Sequence, residues 1–282
     1  MTDTPFLLGA VAYDPKVVSI WEGFKAYFAA NGLPFDFVLY SNYEQQVLAH
    51  LAGDVHAAWN SPLAWIEAER LAARRGRKAS AVAMRDTDRD LTSVVIVRKD
   101  AGIGSLQDLK DRRVAVGATD SPQAALIPLE LIAEAGLQPS ADFEVLHFNV
   151  AVGKHGDHIG GERDAAQALM SGEADACCIL DANRLLFARE GTLPSAATAV
   201  LAETAPFDHC NFTVLEDAPR GQVERFTSIL LGMSYADPQV RPLLDMEGLK
   251  QWLPGRVSGY GALNRAVDRF GAIDVFLRAA SA

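Results

Sequence analysis

Cysteine is scarce in this chain: three in 282 residues, with Cys177 and Cys178 adjacent and Cys210 remote. Such a set cannot build a dense disulfide framework, so the fold must rest on a buried apolar core, and the pattern suits a reducing compartment. Positive charge is also short. The 26 Lys and Arg stand against 36 Asp and Glu, a formal charge of -10, and the resulting field repels nucleic-acid backbones and anionic headgroups. No nucleic-acid partner is expected; the one basic cluster, Arg74, Arg75, Arg77 and Lys78 around Gly76, reads as a solvated turn. Long apolar runs are missing: none approaches the roughly 18 residues of a membrane span, because Arg98, Glu130 and Glu134 interrupt the longest. No membrane insertion is expected. Met1-Thr2-Asp3-Thr4-Pro5 passes directly into an apolar strand without a basic region or cleavage site, so the address expected as written is cytoplasmic, and periplasmic if a leader has been removed. The glycine-rich lysine loop, the dinucleotide fingerprint and the nucleophile elbow are all absent, which counts against the nucleotide and hydrolase chemistries they serve.

What is present is a chain 49% hydrophobic, long enough to divide into two lobes. Residues 6–12 read as a buried strand, and Val17, Val18, Trp21, Phe24 and Phe28 then recur at helical spacing until Asn31-Gly32. Strands at 35–40 and 55–59 alternate with helices at 42–52 and 62–73, and a strand follows at 79–84. A second series runs through strands at 92–97 and 114–117, a helix at 122–135, a strand at 144–148, a helix at 163–170, a strand at 174–179 and a helix at 182–188. Ser121, Pro122, Gly136 and Pro139 punctuate the longest helix of that series. Such alternation predicts an α/β fold with parallel strands and helices on both faces. Ligands on such sheets gather at the carboxyl ends of strands. Here those ends are followed by Tyr13, by Asn60-Ser61, by Thr119 to Gln123 and by Asp181.

Several ordered stretches resemble the substrate-binding components of phosphate/phosphonate-type ABC transporters. Val94-Val95-Ile96-Val97-Arg98-Lys99-Asp100, then Ile103-Gly104-Ser105-Leu106-Gln107-Asp108-Leu109-Lys110 and Arg113-Val114-Ala115-Val116-Gly117, is similar to the family's "I-V-R-K-D-S-G-I" strand and "S-L-x-D-L-K-G-K-R-V-A" passage. Ala57-Ala58-Trp59-Asn60-Ser61-Pro62 stands beside "V-D-x-A-W-x-G-P", and Gly172-Glu173-Ala174-Asp175-Ala176 beside "N-G-x-V-D-A". The resemblance spans about residues 9–189; the C-terminal third matches loosely. It implies a two-lobed α/β fold of the type 2 periplasmic-binding-protein kind with the ligand in a cleft between lobes. The first lobe would be discontinuous, residues 1–91 and 203–282, with residues 92–202 inserted as the second, and hinge closure would bury the ligand.

In that family the loop after the "R-V-A-F-G" strand reads "D-P-G-S-T-S-G" and cradles a phosphonate. The passage here is Ala118-Thr119-Asp120-Ser121-Pro122-Gln123. A helix start still attracts an anion, but only Ser121 keeps a family hydroxyl, Pro122 lacks an N–H and Asp120 adds negative charge. The ligand-binding candidates are therefore Tyr13, Trp59, Asn60, Ser61, Thr119, Asp120, Ser121, Gln123, Arg163 and Asp181. Arg163 stands where the family has histidine and could fork onto an acidic group. Tyr13 and Trp59 supply aromatic walls, unless Trp59 is core. The expected ligand is a phosphonate-like or other small polar anion or zwitterion.

A loop without a family counterpart, Lys154-His155-Gly156-Asp157-His158-Ile159-Gly160-Gly161, gives the competing reading. No cofactor is expected of a binding protein. His155, Asp157 and His158, joined by His209 or Cys210, are however donors suited to zinc or iron, and would make an enzyme of the same scaffold. Strand alternation sends Cys177 and Cys178 to opposite faces of a sheet, as buried structural residues. Two readings thus stand: a transporter-like binding component, partnered by an ABC permease only if exported and otherwise a sensor or carrier, or an enzyme on the same scaffold that uses the His155, Asp157 and His158 loop with Cys178 or His209, either as metal ligands or as acid/base groups.

Overall fold

The computed structural model describes residues 4–156 and 160–281, and the chain divides into two compact units. Unit 1 takes the chain up to Arg89, then Asp208–Gly259, then the end from Ile273; unit 2 takes Asp90–Phe207 and Tyr260–Ala272.

Unit 1 opens with β1 (Phe6–Val11), α1 (Lys16–Ala30), β2 (Phe35–Tyr40), α2 (Tyr43–Ala52), β3 (Ala57–Asn60), α3 (Pro62–Arg74) and β4 (Ala79–Arg85). Local chemistry sets these boundaries. The Asn42 side chain accepts from the Gln45 N–H at 2.8 Å to start α2, and Gly53, at φ 85°, ends it. Ser61 caps α3 ahead of Pro62.

The chain then builds unit 2 from β5 (Ser93–Arg98), β6 (Arg113–Val116), α4 (Ile127–Glu134), β7 (Glu144–His147), α5 (Glu162–Ser171), β8 (Ala176–Leu180), α6 (Asp181–Glu190) and β9 (Thr198–Glu203). It returns to unit 1 with β10 (Asn211–Leu215), α7 (Arg220–Leu231), α8 (Arg241–Glu247) and β11 (Trp252–Pro254). Helix α9 (Gly261–Phe270) belongs to unit 2, and α10 (Asp274–Ala279) to unit 1.

The six-stranded sheet of unit 1 has the order β11-β4-β10-β3-β1-β2. Its β1, β2 and β3 are parallel, as the alternation predicts, but β10 runs antiparallel between β3 and β4. The five-stranded sheet of unit 2 has the order β7-β6-β8-β5-β9, with β5 antiparallel to both neighbours. Both sheets are therefore mixed. Strands β5 and β10 are each the first after the chain passes from one unit to the other, where no crossover helix of the same sheet precedes them, and the edge strand β11 also runs antiparallel to β4.

An aromatic core fills one face of the first sheet, where Phe6, Phe28, Phe35 and Phe226 stack and Trp59, Phe212 and Trp252 pack edge-on or tilted. The second sheet is covered on both faces: Val95, Val97, Val114, Val116 and Cys178 point to one core, Val94, Ile96, Ala115, Cys177 and Ile179 to the other. Each cysteine is buried.

Two details depart from the sequence reading. The helix expected over 122–135 begins as a wide turn, Pro122–Leu126, before α4. Pro128 has no N–H to offer the Ala124 carbonyl, which accepts instead from Gly117 N–H at 3.0 Å, and Leu126 N–H reaches back to Ser121 O at 3.0 Å. The expected boundary also put all of 203–282 in the first lobe, whereas α9 packs on α4 of unit 2. Arg269 clasps the buried Glu130 at 2.6 and 3.2 Å, and Arg265 meets Glu134 at 2.9 Å.

Candidate functional site

In unit 2 the chain leaves β6 through Gly117 and Ala118 into the turn that starts the α4 region. Little of this turn's hydrogen-bonding capacity is left open. Ala118 N–H donates to Gly160 O at 2.9 Å, Thr119 N–H to Asn149 Oδ1 at 3.0 Å and Ser121 N–H to Ala118 O at 2.9 Å. Ser121 Oγ accepts from Ala124 N–H at 3.2 Å as a helix cap. The buried Gln123 side chain donates to Gly156 O at 2.9 Å, while the Gln123 backbone carbonyl accepts from Ser93 Oγ at 2.6 Å. The carboxylate of Asp120 accepts from Gly153 N–H at 2.6 Å, and burial raises its pKa against that hydrogen bond.

The partners of this turn come from the Gly-rich segment after β7. Gly156, at φ 63°, lies so close that a Cβ there would fall 2.5 Å from Ser121 Cβ and Oγ, so only glycine fits. His155 is buried, and burial pushes its pKa down to about 3, which keeps the imidazole neutral. Asp157 and His158, the other expected metal ligands, lie outside the described residues.

At the start of α5, Arg163 forks onto Glu190 of α6, Nε–Oε2 at 3.1 Å and Nη2–Oε1 at 3.0 Å, with its guanidinium over the Phe187 ring. The fork expected to grip an acidic ligand thus holds a carboxylate of its own unit. Asp181 opens α6 and pairs with Arg184 at 2.9 Å. Between them lies a group that the sequence reading missed. Glu162 is fully buried; its Oε2 accepts from Leu180 N–H and Asn183 Nδ2, each at 2.9 Å, while Oε1 has no hydrogen-bond partner among the described residues. Burial raises its pKa from 4.5 to about 7.

In unit 1, Tyr13 is half-buried beside Lys16. Trp59 is a core residue: its ring lies 4.6 Å from Phe212 and 5.7 Å from Trp252, with the Arg85 guanidinium 5.2 Å above it. Asn60 belongs to a buried chain in which Gln46 Nε2 donates to Asn60 Oδ1, Asn60 Nδ2 to Thr213 Oγ1, and Thr213 Oγ1 to Asn211 Oδ1, at 2.8, 2.8 and 2.7 Å. The hydroxyl of Ser61 caps α3. Asn60 and Ser61 sit at the strand end where the sequence put them, with side-chain hydrogen bonds to residues of unit 1.

His209 and Cys210, expected as additional ligands for the loop histidine, are in unit 1, where they converge on Asp88. No helix of the described residues is long and apolar enough to cross a membrane.

Residues 10–260 match the family model described as "ABC transporter, phosphonate, periplasmic substrate-binding protein". Among solved structures the chain is similar to PhnD1 from Prochlorococcus marinus (MIT 9301) in complex with methylphosphonate, at 17% identity and TM-score 0.70 over 95% of this chain and 98% of that one. It is also similar to XAC2383 from Xanthomonas citri bound to ATP, at 15% identity and TM-score 0.69 over 97% and 98%. A third likeness is to the periplasmic aliphatic sulphonate binding protein SsuA from Escherichia coli, at 16% identity and TM-score 0.57 over 96% and 89%. No curated protein matches the chain. At these identities the structural likeness carries the fold and not the ligand.

Proposed function

Because the chain belongs to the phosphonate-type periplasmic substrate-binding protein family of ABC transporters, we propose that it captures one small polar organic anion or zwitterion, in preference to phosphate or a simple phosphonate. It is a substrate-binding protein of the phosphonate/sulfonate transporter type, with the two-lobed α/β fold of type 2 periplasmic binding proteins. The similar structures are of proteins holding methylphosphonate in one case and ATP in another, so the fold accepts unlike ligands and the choice must be argued from this chain's residues.

One observation carries the proposal. The turn after β6 spends its N–H groups at Ala118, Thr119, Ser121 and Ala124 on the chain's own oxygens, and Pro122 has none to give. A compact dianion gains most from several convergent backbone donors at a helix start, and here it would have to displace Asn149 Oδ1, Gly160 O and the turn's own acceptors to reach them. Asp120 opposes a second negative charge and favours a ligand with an ammonium or hydroxyl group. Delivery of the captured molecule to an ABC permease completes the role.

The test is a thermal-shift panel of phosphate, methylphosphonate, aminoalkyl phosphonates, aminoalkyl sulfonates and amino acids. A ligand at a hundred times its Kd stabilises the folded state by about 2.7 kcal/mol, well within detection. A compound carrying both an acidic and an amino group should give the largest shift, and Asp120→Ser should raise the shift with methylphosphonate. Phosphate or methylphosphonate ranking first with the unmodified protein would overturn the proposal.

A further inference from the structure

Outside that turn, unit 1 holds a second cluster of chemically capable side chains. Asp88 ends the short turn after β4, and His209 and Cys210 immediately precede β10. The backbone fixes them to one another, since His209 N–H donates to Asp88 O at 2.8 Å. Asp88 and Cys210 are buried, and the His209 side chain keeps 12% of its surface exposed. His209 Nδ1 lies 3.1 Å from Cys210 Sγ and 3.5 Å from Asp88 Oδ1, and the three donor atoms all fall within 4.8 Å of one another.

This is not the arrangement of a thiol–imidazole–carboxylate relay, which needs thiol and carboxylate on opposite ring nitrogens. Here both electron-rich atoms approach Nδ1, which carries one lone pair or one proton. A cation at the centre would satisfy all three at once. Tetrahedral zinc bonds of about 2.3 Å to sulfur and about 2.0 Å to nitrogen or oxygen place neighbouring donors about 3.3–3.6 Å apart, close to the spacing found. The outer partners also fit. Arg85 forks onto Asp88, Nε–Oδ2 at 2.5 Å and Nη2–Oδ1 at 2.9 Å, and so holds the carboxylate's plane. The same guanidinium meets the buried Glu247 at 3.3 Å, which fixes Arg85 behind the Asp88 carboxylate.

We infer that Asp88, His209 and Cys210 bind one divalent transition-metal ion of the zinc class, with a fourth position open to solvent or a small donor. Mixed sulfur, nitrogen and oxygen donors select such an ion over magnesium or calcium. The site lies wholly in unit 1 and goes beyond the binding role proposed above.

The experiment is titration of the reduced, metal-stripped full chain with cobalt(II), followed by zinc competition. One equivalent should bind, with a near-ultraviolet thiolate-to-cobalt charge-transfer band that zinc abolishes. Cys210→Ser should remove the band, and His209→Ala should weaken binding about tenfold or more. The double variant Cys177→Ser/Cys178→Ser should keep both band and affinity. Urea midpoints of the metal-free variants show whether each is folded, and Cys210→Ala serves if the serine variant is not. No band in the unmodified protein, a band that survives loss of the Cys210 sulfur, or binding lost only in His155→Ala would each overturn the inference.

Discussion

Ionisation of Glu162 should make unit 2 less stable as pH rises through neutrality. The folded protein raises the pKa of this carboxyl from 4.5 to about 7, so between these values the folded state holds a proton that the unfolded chain has released. Stability is therefore greatest below about 4.5 and falls until the folded group has ionised, above about 7. A shift of about 2.5 pH units at 1.36 kcal/mol each amounts to about 3 kcal/mol. Burial outweighs the two hydrogen bonds that favour the charge, from Leu180 N–H and Asn183 Nδ2 to Oε2, and the neighbouring buried thiols of Cys177 and Cys178 supply no cation. Glu162→Gln keeps the shape and removes the titration. Urea unfolding of both proteins at pH 5 and pH 8 provides the assay, because other titrating groups affect the two alike and cancel in the difference. The unmodified protein should lose about 2.5 kcal/mol more than the variant across this interval. Equal pH dependence in the two proteins would refute the reasoning.

Trp59→Ala should cost about 3–5 kcal/mol in urea unfolding, the range for emptying an aromatic core site; a loss under about 1 kcal/mol with ligand binding abolished would restore Trp59 as a ligand wall. Gly156→Ala should cost about 2 kcal/mol, from a left-handed backbone and a methyl group forced against Ser121. An unchanged urea midpoint in that variant would show that Gly156 does not dock on Ser121.

The elements were legible where their causes are local. Asn42, Gly53, Ser61 and Pro62 mark helix ends within three or four residues of the groups they satisfy, and strand alternation placed Cys177 and Cys178 on opposite faces of β8. The partner of α9 was not legible. Its identity depends on Arg265 and Arg269 meeting Glu134 and Glu130, residues more than a hundred positions earlier, and no local pattern encodes that pairing. The candidate site was half legible for the same reason. Strand ends can be located from hydrophobic pattern, so Asn60, Ser61 and the 118–123 turn were found. What each polar group does there depends on long-range partners: Thr213 for Asn60, Glu190 for Arg163, Gly156 for Gln123. Glu162 escaped because a Glu-Arg pair at a helix start ordinarily faces water, and only the packing of α6 against β8 encloses it.

The segment following β7 has a further consequence for specificity. It is tied to the end of β6 by Phe148 N–H to Val116 O at 3.0 Å, and to the 117–123 turn by Asn149 to Thr119, Gly153 to Asp120, Gly156 to Gln123, and Gly160 O to Ala118 N–H. Just beyond, Glu162 anchors the start of α5 to the β8–α6 junction. Through Asn149 Oδ1 and Gly160 O the segment's described residues occupy the Thr119 and Ala118 amides, so these donors are withheld from any ligand unless those hydrogen bonds break. Exchanging Asp120 or Pro122 alone can ease the repulsion of an anion, but it leaves the Ala118 and Thr119 amides engaged by Gly160 O and Asn149 Oδ1. A full gain of phosphonate affinity should therefore require shortening the 149–161 segment as well as Asp120→Ser. Comparing methylphosphonate Kd values for the single change, the shortened loop and the combination tests this. The combination should exceed the product of the separate gains, and simple additivity would show that the segment and the turn act independently.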